Sequence, residues 1–259
     1  MWGKIMAGHF PPESLNMPIA GKTQFRSSNG KKPFSLKRVN PVGDYWLTTN
    51  SCKIETHSFH LTAKQLDHLL SEICGHDPAK VKSPIFEVLS AILWRSLARI
   101  RGESEPRVVT ICRNDSGNRE NELPNNNEQV ISVVETDFTV AKADILELVD
   151  LFAEKMLHER CLIEELIESD KAESDFIVYG ANLTFVNLEE AEIYGLELNG
   201  QKPVYANYSI AGVGDEGVVL VLPGPENGKE GSGRTVTVTL PEYKLVELKN
   251  ELKTEWGIF

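Results

Sequence analysis

The chain reads as a mixed α/β protein, and three observations predict it. Ser83–Arg101 (SPIFEVLSAILWRSLARIR) repeats apolar residues at helical spacing, with Ile85, Val88, Leu89, Ile92, Leu93 and Leu97 forming one wide stripe. Val218–Leu222 and Thr235–Leu240 are β-branched runs of strand length on either side of a glycine-rich turn, Gly224–Gly233. Helical and strand patterns mingle without strict alternation, which gives a coarse class of α/β or α+β.

In chain order, Trp2, Ile5 and Met6 form an apolar stripe with no N-cap before it, so residues 1–10 read as the tail of a helix begun upstream. His9–Asn50 carries Pro11, Pro12, Pro18, Pro33 and Pro41 and reads as a loop-rich crossover. Ile54–Leu61 alternates as a strand, with His60 on the face opposite Phe59 and Leu61. Thr62 and Gln65 form a capping box ahead of a helix bearing Leu66, Leu69, Leu70 and Ile73. Ser83 caps the next helix, and Pro84 sits at its first position, where a missing N–H is harmless. Arg95, Arg99 and Arg101 gather near its end, where cations complement the helix dipole.

Arg107–Cys112 and Val130–Val134 read as strands joined by a polar loop, Arg113–Gln129. Asp144 caps a long helix through Ile145, Leu148, Val149, Phe152 and Met156, with Glu164–Ser174 as its acidic tail. Strands follow at Phe176–Tyr179 and Val204–Ile210. Ala211–Gly217 reads as a hairpin connection from the latter to Val218–Leu222. Pro241 opens a terminal helix with Leu245, Leu248, Leu252 and Trp256 on one side.

At 259 residues the chain has room for one large or two small domains. Its 41% hydrophobic and 25% charged fractions are those of an ordinary globular protein. A net charge of −11, with basic runs only at Lys31–Lys32 and Lys37–Arg38, excludes a general nucleic-acid groove, which needs clustered cations. No stretch reaches the ~20 apolar residues of a membrane span, and no secretory signal is visible. Cys52, Cys74, Cys112 and Cys161 are far apart and form no CxxC pair, so structural zinc is not expected and a reducing compartment is. The sequons at Asn114, Asn182 and Asn207 read as chance matches.

The six histidines give no catalytic site. His57 and His60 point to opposite faces of a strand and share no metal; His68 reads as a surface residue, His76 lies in a turn, and His158 lies on a polar helical face. None has a nucleophile–base–orienter set around it. Gly212, Gly214 and Gly217 mimic a GxGxxG phosphate loop, but that motif opens a helix, whereas a strand follows here and Asp215–Glu216 would repel phosphate. Trp94 and the leucines around it read as core packing in preference to an acyl pocket.

Two segments carry a resemblance. Ser83–Arg101 is similar to the SxFEVLxAxLWRxxxRxR helix of the plant BAHD acyltransferases. Met1–Pro18 and Asn207–Pro223 resemble the Eceriferum/Glossy clade of that family. The resemblance implies a two-lobed fold of the chloramphenicol-acetyltransferase type, of which this chain would be the later part, its N-terminal half lying upstream. The divisions it implies are 1–50 as the end of the first lobe and crossover, 51–195 as the second lobe, and 196–259 as strands and a terminal helix completing the lobes. The family's HxxxD motif supplies a histidine general base and an orienting aspartate, yet no histidine here is followed by Asp four residues on; His9 and His68 have Glu13 and Glu72 there. The position of the family's structural DFGWG motif, read back from Lys202–Pro203, holds Glu197, Leu198, Asn199, Gly200 and Gln201. The loss of an aromatic and a glycine there demands a different local turn.

Within the clade the implied role is in cuticular wax biosynthesis, as an accessory to very-long-chain fatty-acid elongation beside a ketoacyl-CoA synthase. The alternatives are an acyl-CoA-dependent O- or N-acyltransferase whose catalytic half is not in this chain, or an inert remnant. Whether the protein is an enzyme stays open. Acyl-CoA is the implied substrate, no covalent cofactor is implied, and placement at the cytoplasmic face of the endoplasmic reticulum would come by association.

Overall fold

Strand-forming segments far apart in the chain, Ile54–Leu61 and the stretch from Val218 to Pro241, pair within one seven-stranded sheet. In the computed structural model the elements are β1 (Lys37–Val39), β2 (Ile54–Leu61), α1 (Ala63–Cys74), α2 (Ile85–Arg101), β3 (Val108–Asp115), β4 (Glu128–Glu135) and α3 (Ile145–Glu154). They continue with β5 (Leu157–His158), α4 (Arg160–Asp170), β6 (Asp175–Ile177), β7 (Leu183–Asn187), β8 (Val218–Glu226), β9 (Ser232–Pro241) and α5 (Glu242–Trp256). The structure describes residues 32–40, 52–75, 85–115, 128–154, 156–171, 173–226 and 232–258. The expected helix tail at 1–10, His9, His76, the Ser83–Pro84 cap and most of the crossover segment lie outside the described residues.

Seven strands pair in the order β2-β9-β8-β7-β3-β4-β5, while β1 and β6 form a separate ribbon. β3, β7 and β8 run parallel and the remaining pairs are antiparallel. One face of the sheet (Phe59, Leu61, Val109, Ile111, Leu183, Phe185, Val219, Val221, Val236, Val238) meets the apolar stripes of α1, α2, α3 and α5. Nearly every residue of α2 from Phe86 to Ala98 is buried, so it serves as the central helix of that layer. Trp94 is fully buried, its ring edge-to-face with Phe152 at 5.5 Å, and Phe152 stands edge-to-face with Phe185 of β7 at 5.4 Å. The Trp94 indole N–H donates to the Pro106 carbonyl at 2.6 Å, which satisfies the one polar atom of that side chain. Core packing is therefore its role. On the other face a smaller cluster (Cys112, Val186, Val213, Val218, Leu220, Leu222) is covered by Tyr179, Ile193 and Ile210. Burial pushes the Cys112 thiol up to about 12, so it packs as an unreactive apolar group.

The mixed α/β class holds, as do the Thr62–Gln65 capping box and the Asp144 cap, whose Oδ1 accepts the Leu146 amide at 2.8 Å. Three expectations do not. The helix from Ile145 ends at Glu154 and Glu164–Ser174 is no tail of it, because the chain breaks to pair β5 with β4 and then starts α4. Glu159 locks that break: its amide donates to the Ile131 carbonyl at 3.0 Å, and its carboxylate accepts the Phe34 and Ser35 amides at 2.8 and 2.7 Å. Val204–Ile210 is not a strand, and Ala211–Gly217 is therefore not a hairpin turn. Both edges of β8 are already taken by β7 and β9, so no backbone edge is left for it to pair with, and Val204 stays 86% exposed. Phe176–Tyr179 shrinks to β6 in the small ribbon, and the central strand β7 and the short β1 were not foreseen.

Candidate functional site

In an open sheet with parallel strands, the rim beyond their carboxyl ends is where loops and helix starts converge. Here that rim collects four charges from four distant segments. Arg113, near the end of β3, faces Glu87 in the first turn of α2 at 3.8 Å. Glu189, two residues past β7, holds Arg234 of β9 at 2.6 Å. Glu87 is buried, and burial raises its carboxyl above the ordinary value; Arg113 pulls it down and Glu189 pushes it up. The Oε2 of Glu87 and the Oγ of Ser90, one turn along α2, are enclosed without a hydrogen-bond partner. A carboxyl held partly toward its neutral form beside a guanidinium is suited to keeping or passing a proton.

The sign of that shift gives a test. A carboxyl whose folded pKa exceeds its unfolded one adds most to stability below the unfolded value and loses that contribution as pH rises through the folded one. Glu87→Gln, neutral and of the same shape, is expected to unfold later than the parent in urea at pH 7 and to match it at pH 4. Equal midpoints at both pH values, or a loss confined to pH 7, would contradict the assignment.

Glu197 to Gln201, expected from the sequence at the DFGWG position, form a surface turn. Asn199 and Gly200 both have positive φ (51° and 75°), and Leu198 and Gln201 exchange backbone hydrogen bonds of 2.9 and 3.0 Å. This is the primed Asn-Gly hairpin turn, and Glu197 through Gln201 are all exposed.

The histidines do not converge. His57 and His60 lie on opposite faces of β2, and burial, followed by nearby Lys249, lowers the His57 pKa. His60 lies against Gly224 and Gly233, where a Cβ on Gly224 would stand 2.5 Å from its ring. His68 sits 3.5 Å from Glu72 on the surface. His158 is not on a helical face: it lies on β5 with Nδ1 2.8 Å from Ser132 Oγ. Ser132 is fully buried, so the pair fastens a sheet edge and offers substrate no nucleophile. Among the described residues no His, Cys, Asp and Glu group is placed to hold a metal ion.

Gly214 packs against Gly180, its amide donating to the Tyr179 carbonyl at 2.9 Å, and β8 follows with no helix, which rules out a phosphate loop. Glu216 is tied to Arg101, whose guanidinium also donates to the Glu216 carbonyl at 2.7 Å. Two sequons are engaged structurally: the Asn182 amide donates to the Phe34 carbonyl, and Asn207 Oδ1 accepts from Ser58 and Thr237. Sequence reasoning missed the rim cluster. Its one local signal is Glu87, a charge set inside the apolar stripe of a helix.

No family model matches the chain. Curated relatives do. Protein ECERIFERUM 2 of Arabidopsis thaliana is 40% identical over 96% of this chain and 56% of its own length. ECERIFERUM 26 of the same plant is 38% identical over 98% of this chain and 57% of its own length. The chain thus spans about half the length of the curated relatives it matches. Among solved structures, F. sporotrichioides TRI101 complexed with coenzyme A and T-2 aligns with a TM-score of 0.58 at 13% identity, covering 98% of this chain and 60% of that one. F. graminearum TRI101 complexed with coenzyme A and deoxynivalenol gives 0.55 at 15% identity, over 80% and 49%. Vinorine synthase gives 0.50 at 13% identity, over 78% and 47%. These likenesses establish the fold as that of the acyltransferases of the chloramphenicol-acetyltransferase type. The chain is thus a homologue of the Arabidopsis ECERIFERUM proteins and shares the fold of these acyltransferase structures.

Proposed function

We propose that the chain acts in cuticular wax biosynthesis as an accessory to very-long-chain fatty-acid elongation, beside a ketoacyl-CoA synthase at the cytoplasmic face of the endoplasmic reticulum. The observation that carries this reading is the 38–40% identity to ECERIFERUM proteins along 96–98% of the chain. The departure of Glu197–Gln201 from the DFGWG pattern supports the same reading. No helix among the described residues is long and apolar enough to cross a membrane, and in this proposal the reticulum is reached through the synthase. The test is co-expression with an elongase synthase, followed by profiling of acyl chain lengths. A shift to longer chains with the protein present is expected; an unchanged profile would overturn the proposal.

A second reading has its own support. The solved relatives by fold include proteins complexed with coenzyme A. An acyl-CoA-dependent acyltransferase, with its general base in the part of the relatives this chain does not span, would release free coenzyme A when given an alcohol or amine acceptor. Coenzyme A release with no change in chain length would select this reading over the first.

A further inference from the structure

We infer that the cleft between α1 and the end of α5 is a binding site for a small aliphatic ammonium ligand. The cleft follows from two local devices. The capping box turns the chain sharply from β2 into α1, so that Gln65, His68, Leu69 and Glu72, spaced i, i+3, i+4 and i+7, form one stripe beside Leu61. Across from them α5 ends at Trp256. Gly257 takes the left-handed conformation (φ 60°), and the Ile258 amide donates back to the Leu252 carbonyl at 3.2 Å, folding Ile258 inward. Between the two lies a cavity of about 370 Å3. That is within the ordinary range for small-ligand pockets, roughly 300–1,000 Å3.

Its lining has two halves of different chemistry. Leu61, Leu69 and Ile258 are almost wholly buried and make an apolar floor. Glu72 and Glu255 stand at the mouth with half-exposed side chains, and among the described residues no lysine or arginine lines the cavity. The carboxyl end of α5 adds the partial negative charge of its last carbonyls. Arg99 holds Glu255 at 2.7 Å, its hydrogen bond and charge keep that carboxylate ionised, and it neutralises part of the rim. Arg95 lies over the Trp256 ring at 5.0 Å, and its charge also favours the ionised form of Glu255. Among the described residues Glu72 has no guanidinium paired with it and stands 3.5 Å from His68. An apolar floor under a negative mouth suits a short alkyl chain ending in an ammonium. The same mouth repels a fatty acid or an acyl-CoA, and an alcohol gains nothing from the charge.

The test uses the 259-residue chain and follows amide shifts by NMR during titration with n-hexylammonium, hexanoate and 1-hexanol. Saturable shifts confined to α1 and the end of α5 are expected with n-hexylammonium, weaker ones with 1-hexanol and none with hexanoate. Glu72→Gln, at an exposed position, should weaken n-hexylammonium by about threefold to fivefold, as for a surface ion pair, and leave 1-hexanol unchanged. His68→Trp, also exposed, should plug the mouth and abolish both. Hexanoate binding as tight as n-hexylammonium, no saturable shift with any probe, or an unaltered affinity in Glu72→Gln would each overturn the assignment.

Discussion

Replacing Trp94 by alanine is expected to destabilise the fold by about 4 kcal/mol. Three losses add in one substitution. The indole is fully buried between α2 and the layer beneath it, so its removal opens a cavity that fixed neighbours cannot close. Phe152, which joins α3 to Phe185 on the central strand β7, loses its edge-to-face partner. The Pro106 carbonyl loses its donor. Trp94→Phe separates these effects, since it keeps an aromatic ring and forfeits mainly the hydrogen bond, for roughly 1–3 kcal/mol. Urea midpoints of both variants check the ranking. Equal midpoints for Trp94→Ala and Trp94→Phe would mean that the hydrogen bond, not the packing, carries the residue.

Gly217→Ala should destabilise by about 3 kcal/mol, combining a left-handed backbone with overpacking. Gly217 has φ 86° and opens β8, where its carbonyl accepts the Thr184 amide at 3.1 Å. A Cβ there would run into the Leu240 side chain and stand 2.8 Å from the Thr239 carbonyl oxygen on β9. The strand start would have to move away from both neighbours, and with it the Arg101–Glu216 tie beside it. Gly200→Ala is the control. Its φ is similar, at 75°, but nothing lies within 4 Å of the added Cβ, so the backbone contribution alone remains, about 1 kcal/mol. If the two variants unfold at the same urea concentration, the close approach of β8 and β9 is not what demands glycine at 217.

Much of the local structure was legible because its causes are local. The Thr62–Gln65 box, the Asp144 cap and the stripe of α2 each arise within one or two helical turns, and all three occur as the residues predict. β7 was missed for a physical reason: Leu183–Asn187 is short and sunk in the middle of the sheet, so it shows neither alternation nor length. Val204–Ile210 has the opposite fault, with strand-like residues while both edges of β8, its expected partner, are taken by β7 and β9. At the candidate site, Glu87 alone broke a local pattern. Arg113, Glu189 and Arg234 look like ordinary surface charges until the sheet order brings them to one rim.

The amino-acid order by itself determined the class, most of the helices, the caps at Thr62 and Asp144, and the likeness to the ECERIFERUM proteins, because propensity, capping and motif are properties of neighbouring residues. Only the tertiary structure decided that β7 slips between β3 and β8, that His158 leaves a helix for a sheet edge, and that a charged rim and a lined cleft exist. Those depend on contacts between residues as far apart as Arg101 and Glu216, separated by 115 positions, and no local pattern records which distant partner closes on which.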